Sequence, residues 1–88
     1  MTKQAIIDEI ELRTSSKYSS WRIGLTNNPD QRRGECGDDG ERTDFWMDFE
    51  ADSPADAKEI ETRFTNRGMK LVTVGELLPR KDVFVFLF

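Results

Sequence analysis

The sequence predicts an α+β domain, a small antiparallel sheet of three to four strands with helices packed on it. Two patterns carry that expectation. Residues 21–26 and 43–50 alternate apolar and polar side chains, the period of a half-buried strand. Residues 53–67 instead carry a capped stretch with apolar side chains at helical spacing. A length of 88 residues fits one domain, spanning 1–88. A chain this short buries only about 60–65% of its unfolded surface, so marginal stability is expected.

Residues 3–14 read as a first helix of modest amphipathicity. Thr2 is its cap, and Ile6, Ile7 and Ile10 are its packing residues. Residues 15–20 are polar and read as a loop. In the first strand, Trp21, Ile23 and Leu25 share one face, and Arg22, Gly24 and Thr26 the other. Asn28 then suits a helix N-cap, and Pro29 suits the first helical position, where its missing N–H goes unneeded. Gln31 completes a weak capping box, and a short helix is expected over 29–33. Gly34 to Arg42 is rich in glycine and aspartate and reads as a solvated turn.

The second strand is expected over 43–50. Phe45, Met47 and Phe49 face the core there, and Trp46 and Asp48 face away. Trp46 is either second-layer core or a stacking platform for a base. In the helix at 53–67, Ser53 is the cap, Pro54 is the first helical residue, and Gly68 ends it in the left-handed region. At about 100° per residue, Ala57, Ile60 and Phe64 make one stripe, with Glu61 at its edge and Glu59 pointing nearly opposite. Residues 69–78 are either a short strand through Leu71-Val72-Thr73-Val74 or a helical turn capped by Thr73. Val83 to Phe88 is apolar on both faces, as a central strand would be.

Composition excludes several kinds of chemistry. With no histidine, there is no His-based zinc site and no Ser-His or Cys-His dyad. A single cysteine, Cys36, forms no internal disulfide and no Cys-x-x-Cys centre. Neighbouring carboxylates are expected to raise its pKa and keep the thiol inert. Any metal would be a hard ion on carboxylates, with magnesium the best fit. No apolar run reaches membrane-spanning length. The first residues carry charges where a signal peptide needs an apolar core, so a cytoplasmic protein is expected.

Arg22-Ile23-Gly24-Leu25-Thr26-Asn27-Asn28-Pro29, followed by Arg32, resembles the second half of the GIY-YIG nuclease motif. In that motif Tyr-Ile-Gly-x-Thr-Asn is followed by an arginine eight residues after the glycine. Gly24 and Arg32 keep that spacing. The run Ala57-Lys58-Glu59-Ile60-Glu61 resembles the family's Ala-x-x-x-Glu segment. The family includes phage homing endonucleases and the nicking subunit of bacterial excision repair.

The resemblance implies a small sheet with helices beside it. It also implies that Arg32 contacts the scissile phosphate and that Glu61 holds a magnesium ion. Arg22, Gly24, Arg33 and Trp46 would line the substrate side. The form is reduced. The first tripeptide has no counterpart before Trp21, and Arg22 stands where the second tripeptide has tyrosine. The expectation is nucleic-acid phosphate binding, with magnesium-dependent cleavage weak or lost.

The net charge of −4 opposes general nucleic-acid binding, whose affinity comes from neutralising phosphates. The alternative expectation is a non-catalytic protein-interaction module on the same fold. It is motivated by the acidic balance, the missing tyrosines and the aromatic C-terminal strand. An Arg32 and a Glu61 facing one cleft would favour the first expectation. An Arg32 engaged with local carboxylates such as Asp30 or Glu35 would favour the second.

Overall fold

A computed structural model describes residues 1–72 and 82–88. Helix α1 spans Lys3–Thr14, and its Thr2 cap accepts from the Ala5 amide. A 3-10 turn at Tyr18–Ser20 leads into strand β1, Arg22–Thr26. Helix α2 (Pro29–Asp38), strand β2 (Met47–Glu50) and helix α3 (Pro54–Thr65) follow. Ser53 caps α3 by accepting from the Asp56 amide. Gly68 takes φ +118°, a backbone conformation that favours glycine, and the chain turns there into β3, Lys70–Leu71. Strand β4 is Phe84–Leu87. Among the described residues no helix is long and apolar enough to cross a membrane.

The four strands lie in the order β2-β4-β1-β3. The expected α+β class and strand number hold, and β4 is central as its two apolar faces imply. The sheet is mixed, however, and not wholly antiparallel. β4 pairs antiparallel with β1 and β2, but β3 pairs parallel with β1, Arg22 opposite Lys70. Parallel neighbours need a long crossover. Here α2, β2 and α3 supply it and return the chain to the starting end of β1.

One face of the sheet carries the main core. Ile23, Leu25, Met47, Phe49, Val85 and Leu87 meet Ile6, Ile7 and Ile10 of α1 and Ala57, Ile60 and Phe64 of α3. The two helices run side by side in the same direction. Lys3 pairs with Glu59 at 2.6 Å, and Arg67 with Glu11 at 3.5 Å, so both partners advance together. The expected stripe on α3 is fully buried.

Three local expectations are corrected. α2 continues to Asp38, through the stretch read as a turn from Gly34. A Cβ on Gly34 or Gly37 would meet open space, so neither glycine is there for close packing. Burial of Cys36 one turn beyond Arg32 gives the longer helix an anchor. β2 begins at Met47 and not at 43, because the Trp46 amide bonds to the Thr43 carbonyl and closes a turn. That turn throws Phe45 outward, to 73% exposure, where alternation had placed it in the core. In the ambiguous stretch 69–78 a two-residue strand forms at Lys70–Leu71, meeting the strand reading only at Leu71, and residues 73–78 lie outside the described residues.

Phe64 is buried in the main cluster and touches Tyr18, with ring centroids 5.5 Å apart. Phe64→Ala should therefore cost about 3–5 kcal/mol, much of the stability of a small domain. Thermal denaturation followed by circular dichroism would read this. A variant melting close to wild type would show that the face of α3 has been misassigned.

Candidate functional site

The segment from Arg22 to Arg33 holds its strand-to-helix junction with its own side chains. The Thr26 hydroxyl accepts from the Asn28 amide at 3.1 Å, and the Asn28 side chain accepts from the Gln31 amide at 3.2 Å. These bonds turn the end of β1 directly into α2. The Asn27 amide group reaches the Asp82 carbonyl at 3.2 Å, tying the junction to the start of the last strand. The Thr-Asn-Asn sequence thus has a full structural use.

The arginines that follow are engaged locally. Arg32 meets Glu35, one turn along α2, at 3.6 Å. Its Nε is buried and, among the described residues, has no hydrogen-bond partner. Arg33 donates to the Thr43 carbonyl at 3.3 Å. Arg22 binds Glu41 at 2.9 Å, and its guanidinium lies 5.8 Å from the Phe88 ring centroid. Arg22 therefore ties the stretch after α2 to the sheet through Glu41, and Arg33 ties it to α2 through Thr43.

Gly24 lies at the centre of that second face, directly opposite Phe86 in the β1–β4 ladder. A Cβ on Gly24 would come 2.6 Å from the Phe86 ring. Glycine lets this fully buried ring lie against the strand backbone. Trp46 stacks on Phe86 at 4.9 Å and on Phe88 at 5.6 Å, with its indole N–H donated to Asp48 at 2.8 Å. Trp46 is the second layer of a packed aromatic stack, with a carboxylate at its polar edge.

Glu61 is buried on α3 and accepts from Lys58, one turn back, at 2.9 Å. Among the described residues no hydrogen bond or ion pair joins Arg32 to Glu61. Magnesium needs near-octahedral oxygen ligands. No group of three or more ligating side chains gathers among the described residues. The carboxylate of Glu61 already holds an ammonium, so this donor set fits a structural ion pair better than a resident magnesium ion. Cys36 is buried, and burial pushes its thiol pKa up. Arg32 offsets that in part, while Asp39, Glu41 and Glu35 add to it. The expected inert thiol follows, with burial as its main cause instead of the neighbouring carboxylates.

A concave site that the sequence did not reveal lies where β1 begins and β4 ends. Trp21, Arg22, Glu41, Arg42, Phe45 and Phe88 line a pocket of about 290 Å³. Phe45 forms its exposed lip. The alternating pattern of 43–50 hid this residue. The only cue was the polar Thr43-Asp44 pair before it, which suits a turn better than a strand. Comparison with family models, curated proteins and solved structures returns no match.

Gly24→Ala would force the Phe86 ring into its neighbours and should cost about 1–3 kcal/mol. Combined with Phe86→Leu, which frees space over the strand, the loss should be clearly smaller than the sum of the two single losses. Chemical denaturation of the four proteins in this cycle measures the coupling. Strictly additive losses would mean that Gly24 does not serve the ring.

Proposed function

We propose that this domain is a non-catalytic protein-interaction module on a nuclease-like scaffold. The observation that carries this reading is the local engagement of the side chains that a phosphodiester site would need. Arg32 is engaged with Glu35, Glu61 with Lys58, and Arg22 with Glu41. A phosphate ligand would have to displace these carboxylates, and a metal would have to displace Lys58. The net charge of −4 adds a long-range penalty for any polyanion. The exposed Phe45 beside the pocket supplies what a protein partner needs instead, an apolar anchor on a polar body.

One observation favours a second reading, phosphate binding through Arg32. Among the described residues its buried Nε lacks a partner, and an unmet buried donor costs about 1–3 kcal/mol, which an anion would relieve.

Plasmid nicking with magnesium or manganese, run beside Arg32→Ala and Glu61→Ala, tests both readings. The interaction reading predicts no cleavage by any of the three proteins. It also predicts that a short oligonucleotide at low salt leaves the amide signals of Gly24 to Arg33 unmoved. Metal-dependent nicking lost in Arg32→Ala would overturn it. Salt-sensitive oligonucleotide binding without cleavage, abolished by Arg32→Ala, would select the second reading.

A further inference from the structure

We infer that the outer edge of β2 takes up an extended segment of a protein partner as a further, antiparallel strand. Lysine or arginine side chains alternate along that segment and stand opposite Asp48 and Glu50. This inference rests on the interaction-module reading and names a surface and the partner's chemistry.

The backbone supplies the first observation. β2 is an outer strand of the sheet. On the far side of β4, Arg22 and Phe88 exchange both backbone bonds, at 2.8 and 3.1 Å. Backbone groups alternate sides along a strand, so Phe84, Phe86 and Phe88 turn theirs toward β1. Val85 and Leu87 then turn theirs toward their partners Phe49 and Met47 in β2. The Ala51 amide, bonded to the Val83 carbonyl at 3.0 Å, continues that series. The N–H and C=O groups of Asp48 and Glu50 therefore point out of the sheet. Among the described residues only the Glu50 carbonyl of these four groups is met, by the Met1 ammonium at 3.1 Å. Open groups of this kind are a template for another strand.

The second observation is charge. Asp48 and Glu50 are exposed on one face of β2 and, among the described residues, have no ion pair. Asp48 accepts from the neutral Trp46 indole alone. The cations on the surrounding elements are committed. Arg13 of α1, 5.5 Å from the Phe49 ring centroid, pairs with Glu9, Arg42 with Asp44, and the Met1 ammonium with Asp52. Arg33 is tied to the Thr43 carbonyl, ahead of the turn that starts β2. Lys70 stands on β3, three strand spacings across the sheet. That is about 14 Å, beyond a Debye length of about 8 Å.

These two carboxylates select the occupant. A second copy pairing through its own β2 would set like charges opposite Asp48 and Glu50, which destabilises a strand pair. An acidic segment meets the same penalty. A nucleic-acid strand is repelled and offers no ladder of peptide donors and acceptors. A basic residue directly opposite either carboxylate is on the same face, about 5.5 Å away between Cα atoms. Asp48 and Glu50 are two residues apart, so the matching cations recur at every second position. The Met1 ammonium illustrates the chemistry, held by the Glu50 carbonyl and, at 3.4 Å, by the Asp52 carboxylate.

The test is NMR titration and amide exchange on the 15N-labelled chain with acetylated pentapeptide amides. Lys-Val-Lys-Val-Lys should move the signals of Met47 to Ala51 in a saturable way at millimolar concentration. It should also slow exchange of the Asp48 and Glu50 amide protons. The slowing should be about tenfold when about nine-tenths of the chain is bound, since only the free fraction exchanges. Glu-Val-Glu-Val-Glu should bind at least about tenfold more weakly. Methylation of the lysine backbone nitrogens should abolish binding, because in the antiparallel register those amides face β2. Methylation of the valine nitrogens should leave most of it. Asp48→Asn combined with Glu50→Gln, two exposed changes that keep the ladder, should bind the lysine and glutamate peptides alike.

Shifts without slower exchange at Asp48 and Glu50 would overturn the inference, because they mean ionic contact without a new strand. So would equal binding of the two peptides to the unaltered chain, full binding by the lysine-methylated peptide, or no shifts at all. Protection of the same amides on concentrating the chain alone would make a second copy the occupant and would also overturn it. Failure here together with an inert nicking assay removes this edge and leaves the interaction reading standing. Arg32-dependent nicking would remove the reading itself.

Discussion

The contact between Gly24 and Phe86 sets the layout of the molecule. These residues face each other in the two central strands, and the ring takes the space that any side chain at 24 would fill. With Phe86 against the strand at Gly24, Trp46 stacks on it at an interplanar angle of 6°, and Phe88 lies 13° from its plane. Stacked rings cover apolar area and gain from their offset geometry. They close much of the second face of the sheet with side chains. The opposite face is left for α1 and α3, whose isoleucines, Ala57 and Phe64 make the main core. The glycine that most resembles a nuclease residue is thus explained by packing alone.

The same holds for the charges around it. Exposed ion pairs such as Arg42 with Asp44 contribute little to stability, about 0–1 kcal/mol. Their effect here is geometric. Arg22 and Arg33 hold the stretch after α2 in place, and that stretch carries Glu41, Arg42 and Phe45 to the rim of the pocket. Of the arginines that read as phosphate ligands in the sequence, Arg22 lines this pocket, and Arg33 holds the stretch that carries its rim. Lys58 and Glu61 make a similar local pair on α3, with the carboxylate buried and the ammonium largely in water.

Much of the fold was legible because its signals are local. The caps Thr2, Asn28 and Ser53 each accept the bond their positions imply. The stripe of α3 and the doubly apolar β4 follow from periodicity. What the sequence hid depends on non-local contacts. α2 extends past Gly34 because Cys36 finds a buried place, which no local propensity announces. Phe45 satisfies the strand alternation, but the hydrogen bond from Trp46 to Thr43 removes it from the ladder. The parallel direction of β3 depends on where α3 delivers the chain. In the candidate site, the positions of Arg32 and Glu61 on helices were legible. Their partners Glu35 and Lys58 stand one turn away on the same helices, within reach of the spacing rule for helical pairs.

The central claim is that an aromatic ring resting on Gly24 organises the second face, and proton NMR tests it directly. A ring at this distance displaces the α-protons of Gly24 from ordinary strand shifts and gives intense cross-peaks between them and the Phe86 ring. The account predicts both effects, together with cross-peaks from the Trp46 indole to Phe86 and Phe88. Gly24 α-protons at ordinary strand shifts, with no cross-peak to Phe86, would contradict it.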